Sequence, residues 1–168
     1  MNPFLPAMTL ALLRPPDLAA YVKLAPRPTP CAVGTAMQIH NRVVARFADG
    51  RIVKGTTQDF SVTRDFFHVI PPETGAAPIR VGIPALKAIF FVKDHAGNKD
   101  YNEKKAFDRP VPGRKLQVVF KDGETLVGST TAYDAARPGF FMTPADPRSN
   151  NDRIYVVARA VRAVAFIQ

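Results

Sequence analysis

The feature that most constrains this chain is an internal duplication. FADGRIVKG, opening at Phe47, lies over FKDGETLVG, opening at Phe120, and PALKAIFFV further on lies over RAVRAVAFI. The offset is 73 residues at Phe47 and Phe120 and 75 at Phe91 and Phe166. A repeat of this size signals two similar small folds in tandem. The chain divides accordingly into a Pro-rich arm (1–38), repeat one (39–92), a polar linker (93–113) and repeat two (114–168).

Within each repeat the pattern is that of strands. Val43, Ala45 and Phe47 alternate with Val44 and Arg46, as Leu116, Val118 and Phe120 alternate with Gln117 and Val119, which suits half-buried strands. Asp-Gly at 49–50 and at 122–123 predicts a tight hairpin in which both central residues take positive φ. A second strand follows through Ile52–Thr57 and Leu126–Thr131, with Gly55 and Gly128 marking a bend or bulge. Paired phenylalanines mark a third, Phe66 with Phe67 and Phe140 with Phe141. The segments IRVGIPALKAIFFV and RIYVVARAVRAVAFI read as two further strands broken by a short turn, 3₁₀ in type, at Pro84 or Arg159. The predicted fold class is therefore mainly β: two tandem homologous five-stranded SH3-like or Sm-like barrels behind an extended arm. An open sandwich is the competing geometry. Asp17 can cap one short helix over Asp17–Leu24 in the arm.

With 46% hydrophobic and 22% charged residues the chain suits an ordinary buried core. Its apolar start, MNPFLPAMTLALLRPP, lacks a preceding basic residue and is too short to span a bilayer. A cytoplasmic protein with no membrane span is expected. Cys31 is alone, which fits a reducing compartment.

The formal net charge of +9 raises the question of a polyanion partner. The charge is spread over all four stretches without a basic block, so a solvated surface explains it equally well. Catalysis finds little support. His40, His68 and His95 are scattered, no metal-ligand spacing or phosphate loop appears, and no nucleophile stands beside a base. Neither enzyme activity nor a cofactor is expected. Lys87 and Arg162 take matching places before the last strand of each copy, where they are expected to keep its start in solvent.

Three resemblances bear on function. Gly123, Leu126, Gly128, Tyr133 and Asp134 resemble the first Sm motif, and repeat one keeps Gly50, Val53, Gly55 and Phe60 with Ser61 in place of the Asp. That likeness implies a small barrel, edge-strand oligomers and RNA binding, although Pro138, Val157 and Ala158 stand where the family's Asn and Arg-Gly residues would be. Arg42 and Arg46, with Asp59 and Ser61, are similar to the PilZ elements that hold cyclic di-GMP; Arg64 replaces the glycine of that pattern. Finally, Gly55–Phe60, Leu86–Asp94, Gly97 and Tyr101 resemble an uncharacterised bacterial family found beside signalling domains, which implies a regulatory or adaptor role.

The expected function is thus a non-enzymatic regulatory or adaptor protein that binds a macromolecular partner, foremost a protein. Nucleic acid is the alternative, with Arg42, Arg46, Arg51, Lys54, Arg64, Arg137 and Arg159 as cations, and cyclic di-GMP is a further one. Candidate ligand-binding residues are these cations with Asp59, Ser61, Asp134 and the aromatic pairs Phe66, Phe67, Phe140 and Phe141. One phenylalanine of each pair is expected in the core and the other outside, under the N-terminal arm or stacked against a base or peptide.

Overall fold

Among the described residues, ten strands and two single-turn 3₁₀ segments account for the regular structure, and they occur in the same order twice. In the computed structural model, which describes residues 41–97 and 100–168, repeat one runs β1 (Asn41–Phe47), β2 (Ile52–Thr57), β3 (Phe66–Val69), β4 (Ile79–Gly82), a 3₁₀ turn (Ile83–Ala85) and β5 (Leu86–Val92). Repeat two runs β6 (Arg114–Phe120), β7 (Thr125–Thr130), β8 (Gly139–Pro144), β9 (Asn151–Val157), a 3₁₀ turn (Ala158–Ala160) and β10 (Val161–Phe166). The arm, its Asp17–Leu24 helix, Cys31 and His40 lie outside the described residues.

The duplication extends to single hydrogen bonds. The Phe47 amide donates to the Arg51 carbonyl at 2.8 Å, and the Phe120 amide to the Glu124 carbonyl at 2.9 Å. Gly50 and Gly123 close the same turns with φ of 90° and 88°. Only the glycine of each Asp-Gly pair has positive φ, since no other described residue type adopts it. The expected turn with two positive φ angles is therefore corrected. Asp49 and Asp122 keep negative φ, and the single left-handed glycine makes the extra-residue bulge of a three-residue hairpin. Gly55 and Gly128 also correspond: a Cβ on either would lie 2.2 Å from a carbonyl oxygen, of Ile70 or of Thr143. Here glycine permits the neighbouring strand to approach closely.

All pairing is antiparallel. The main sheet has eight strands in the order β10-β6-β7-β8-β9-β5-β1-β2, and β3 and β4 form a two-stranded ribbon. A bridge between Thr56 and Ile70 links that ribbon to β2. Within each repeat the last strand returns to the first, β5 to β1 and β10 to β6. The repeats meet through β5 and β9, paired from Ala88 opposite Val156 to Val92 opposite Asn151. Among the described residues, the pairing leaves the outer edges of β4 and β10 open, and no closed ring of strands forms.

That junction explains why β5 carries apolar residues on both sides. Side chains alternate between faces, and two cores occupy the opposite faces of β5 and β9. Ile89 and Phe91, with Tyr155 and Val157, enter the core of repeat one around Val43, Phe67, Val69 and Val81. Ala88, Phe90 and Val92, with Ile154 and Val156, enter the core of repeat two around Leu116, Val118, Phe120 and Met142. All seven residues of β5 are consequently buried. Each large side chain so buried contributes about 1.5–3 kcal/mol, which places substantial stabilisation on the seam.

Candidate functional site

Two features lie where the repeats meet, a charged clamp and a groove. The clamp is centred on Lys87, 4% exposed. Its ammonium donates to the Asp122 and Glu124 carboxylates of the β6–β7 hairpin. Arg46 of β1 reaches the same Glu124 at 3.0 Å. A buried ammonium needs such partners, because desolvating an unpaired charge costs several kcal/mol. The Lys87 ammonium in turn holds the Asp122 carboxyl below its usual range. The expectation that Lys87 keeps its strand start in solvent is corrected: the strand is covered on that side by repeat two, and two carboxylates satisfy the amine. Arg162, its counterpart on the open strand β10, is exposed as expected.

The groove lies between two corresponding loops. Ser61–Arg64, between β2 and β3, and Asp134–Arg137, between β7 and β8, are each turned by a backbone bond, Arg64 amide to Ser61 carbonyl and Arg137 amide to Asp134 carbonyl, both at 3.3 Å. In the first, the Ser61 and Thr63 hydroxyls share a hydrogen bond of 2.8 Å. In the second, the Asp134 carboxylate accepts from the Ala136 amide at 2.9 Å and pairs with Arg137 at 3.4 Å. Two adjoining cavities of about 310 and 580 Å³ share Val62, Thr63, Pro138 and Tyr155 as walls. Arg64 and Arg159 line the first, and Arg137, Phe140 and Phe141 the second. An aromatic cluster supports the floor: Phe60 meets Phe67, Phe91, Phe141 and Tyr155 edge to face, with centroids 5.3 to 6.1 Å apart. Burial pushes the Tyr155 hydroxyl above its usual pKa.

Of the candidate residues, the fold therefore brings together Arg64, Arg137, Arg159, Phe140 and Phe141 as groove walls, with Ser61 and Asp134 in the loops that carry Arg64 and Arg137. The rest are dispersed. Arg42 donates to the Lys93 carbonyl at 2.7 Å, Lys54 to the His95 carbonyl at 3.1 Å, and Arg51 to the Asp49 carboxylate at 2.7 Å while lying over the Phe47 ring. Arg46 belongs to the clamp. Asp59 accepts from the His68 amide at 2.9 Å and from the Thr57 hydroxyl at 3.2 Å, and its second oxygen is 2.7 Å from the His68 ring. Burial pushes the Asp59 carboxyl up, but the bonds from His68 and Thr57 outweigh it and leave the pKa lowered. Arg42, Arg46 and Asp59 thus turn to three different partners. Phe67 is fully buried, and Phe66 is half-buried under the Arg80 guanidinium at 3.8 Å. Phe140 is in the core of repeat two, and Phe141 packs against that of repeat one.

Sequence reasoning missed the walls Val62, Pro138 and Tyr155. The aromatic in RIYVV was a signal for Tyr155, but its face depends on which repeat lies across β9. It also missed the docking of the linker. The Asp146 carboxylate, in the β8–β9 connection, accepts from the Tyr101 hydroxyl at 2.6 Å and the Lys104 amide at 2.9 Å. These bonds, with one from the Arg148 amide, lower its pKa to about 2. Glu103 accepts from the Ser149 hydroxyl at 2.6 Å, and Asn150 donates to the Asp94 carbonyl at 2.7 Å. Tyr101, singled out by resemblance, thus has a structural task.

Among the described residues no group of three His, Cys, Asp or Glu side chains could hold a metal ion, and no helix is long and apolar enough to cross a membrane. No curated protein matches the chain, and no solved structure does. The model of a family described as a family of unknown function, DUF6982, matches residues 39–168, which take in both repeats and the linker. The chain therefore belongs to the DUF6982 family.

Proposed function

We propose that this protein is a non-catalytic regulatory or adaptor module, built of two five-stranded SH3-like barrels, that binds an acidic, apolar-bearing peptide segment of a protein partner in the inter-repeat groove. The observation that carries this reading is the convergence of Arg64 from one repeat with Arg137 and Arg159 from the other around Val62, Pro138, Tyr155 and Phe141. The barrel reading is supported by the five-strand order with its 3₁₀ turn and by the return of each last strand to the first. Guanidinium forks suit carboxylates, and an apolar floor suits an anchoring side chain. Arg64 and Arg159 have no ion pair among the described residues, whereas Arg42, Arg46 and Arg51 have polar partners already.

Single-stranded RNA is the second reading, favoured by the same arginines beside aromatic rings and by the charge of +9. A random peptide library displayed on phage, followed by anisotropy with the selected labelled peptides, tests the first. Arg159→Ala and Arg64→Ala should each weaken binding roughly tenfold, about 1.4 kcal/mol. Selected peptides that bind these variants as well as they bind wild type would sink the proposal. Labelled RNA that binds the wild type with affinity falling steeply in salt, while no peptide is selected, would transfer the groove to nucleic acid.

A further inference from the structure

The seam between the repeats is a heterologous contact: the last strand of repeat one pairs with the fourth strand of repeat two. The same chain also carries the complementary two strands, the fourth of repeat one (β4) and the last of repeat two (β10), each with one edge unpaired among the described residues. We infer that β10 of one copy pairs antiparallel with β4 of a second copy, repeating between chains the junction that β5 and β9 make within one. This inference is independent of the groove reading.

Three observations support it. Of the six large hydrophobic residues exposed among those described, Ile79 lies on β4 at 41%, Phe166 ends β10 and Ile167 directly follows it, at 40% each. Transferring the internal register by the repeat offset sets Ala163 opposite Val81 and Ala165 opposite Ile79, as Ala88 faces Val156 and Phe90 faces Ile154. Second, the edge of β10 is chemically ready. Ile167 donates its amide to the Lys115 carbonyl at 3.0 Å, so by alternation the amides of Val164 and Phe166 point away from β6. Third, Ala163–Phe166 contains no charge and no proline, the usual devices that protect an edge.

The junction between copies is the weaker of the two. Arg162 corresponds to Lys87 and Asp49 to Asp122, but Arg51 takes the place of Glu124 and already holds Asp49. Pro78, which corresponds to Arg153, also limits the ladder, because it offers no amide. Reversible, concentration-dependent assembly follows. Since donor and acceptor surfaces differ, each chain can give one junction and take another.

Sedimentation velocity of the full chain over a concentration series tests this. The average mass is expected to rise with concentration, and Ile79→Lys or Ala165→Lys, each placing a charge on one exposed edge, is expected to return it to a single chain. Mixing these two variants should restore one junction, between β10 of the Ile79→Lys chain and β4 of the Ala165→Lys chain, and stop at two chains. That rescue also demonstrates that both variants fold. A wild type that stays at one chain mass up to millimolar concentration, or a mixture in which no dimer forms, would overturn the inference.

Discussion

Strands β5 and β10 hold the same position in their repeats, yet all seven residues of β5 are buried and none of the six in β10 is. Their sequences, LKAIFFV and VRAVAF, differ less than their fates. β5 lies between β1 and β9 with a core on each face, whereas β10 ends the sheet with β6 alone. The burial of a strand in this molecule is thus set by its neighbours, and a repeated sequence acquires two roles because only one copy has a second repeat beside it.

Matched substitutions sharpen the contrast. Phe91→Ala should cost about 3–5 kcal/mol, since it empties a packed site that is 4% exposed. Its counterpart Phe166→Ala, at 40% exposure, should cost about 1 kcal/mol. Urea unfolding of the two variants measures the gap, and equal costs would break the comparison.

A smaller effect is expected at the basic residues. Lys87→Met should destabilise by about 1–2 kcal/mol, below the usual cost of breaking a buried pair because Asp122 and Glu124 are 52% and 33% exposed and keep part of their hydration. Arg162→Met should fall within about 0.5 kcal/mol of wild type. Thermal melts of both variants decide whether the clamp belongs to the seam or is incidental to it.

The smallest effect concerns pH and the stretch of linker at Tyr101–Lys104, which Asp146 of repeat two holds. The Asp146 carboxyl is lowered from its ordinary 3.8 to about 2. A lowered pKa means that its stabilising contribution is complete above 3.8 and is lost as the pH falls toward 2. Amide signals of Tyr101 and Lys104 should therefore move across that window in NMR spectra, ahead of those of β1 and β2, and Asp146→Asn should abolish the movement. Simultaneous loss of all signals would show that the linker is not separately anchored.

The sequence was most legible where structure is local. Phe47–Gly55 and Phe120–Gly128 announced their hairpins because turn glycines and alternating apolar residues act within a few positions, and the 3₁₀ breaks at Pro84 and Arg159 were marked in the same way. What could not be read came from partners far along the chain. Lys87 is buried by Asp122 and Glu124, 35 and 37 residues away. Tyr155 faces the core of repeat one only because β9 pairs with β5. The candidate site was legible in part for the same reason: Arg64 and Arg137 stand at corresponding positions of the duplication, but their convergence depends on how the seam turns one repeat against the other. Arg42, Arg46 and Asp59 suggested one ligand by spacing, whereas each side chain meets its own partner.

Hydrogen–deuterium exchange, followed residue by residue at a concentration low enough to keep chains separate, tests the fused seam most directly. The amides of Ala88–Val92 and Ile154–Val156 are expected to exchange together and only through global unfolding, while those of Val164 and Phe166 exchange orders of magnitude faster. Similar exchange in β5 and β10, or a repeat one that opens while repeat two stays protected, would contradict it.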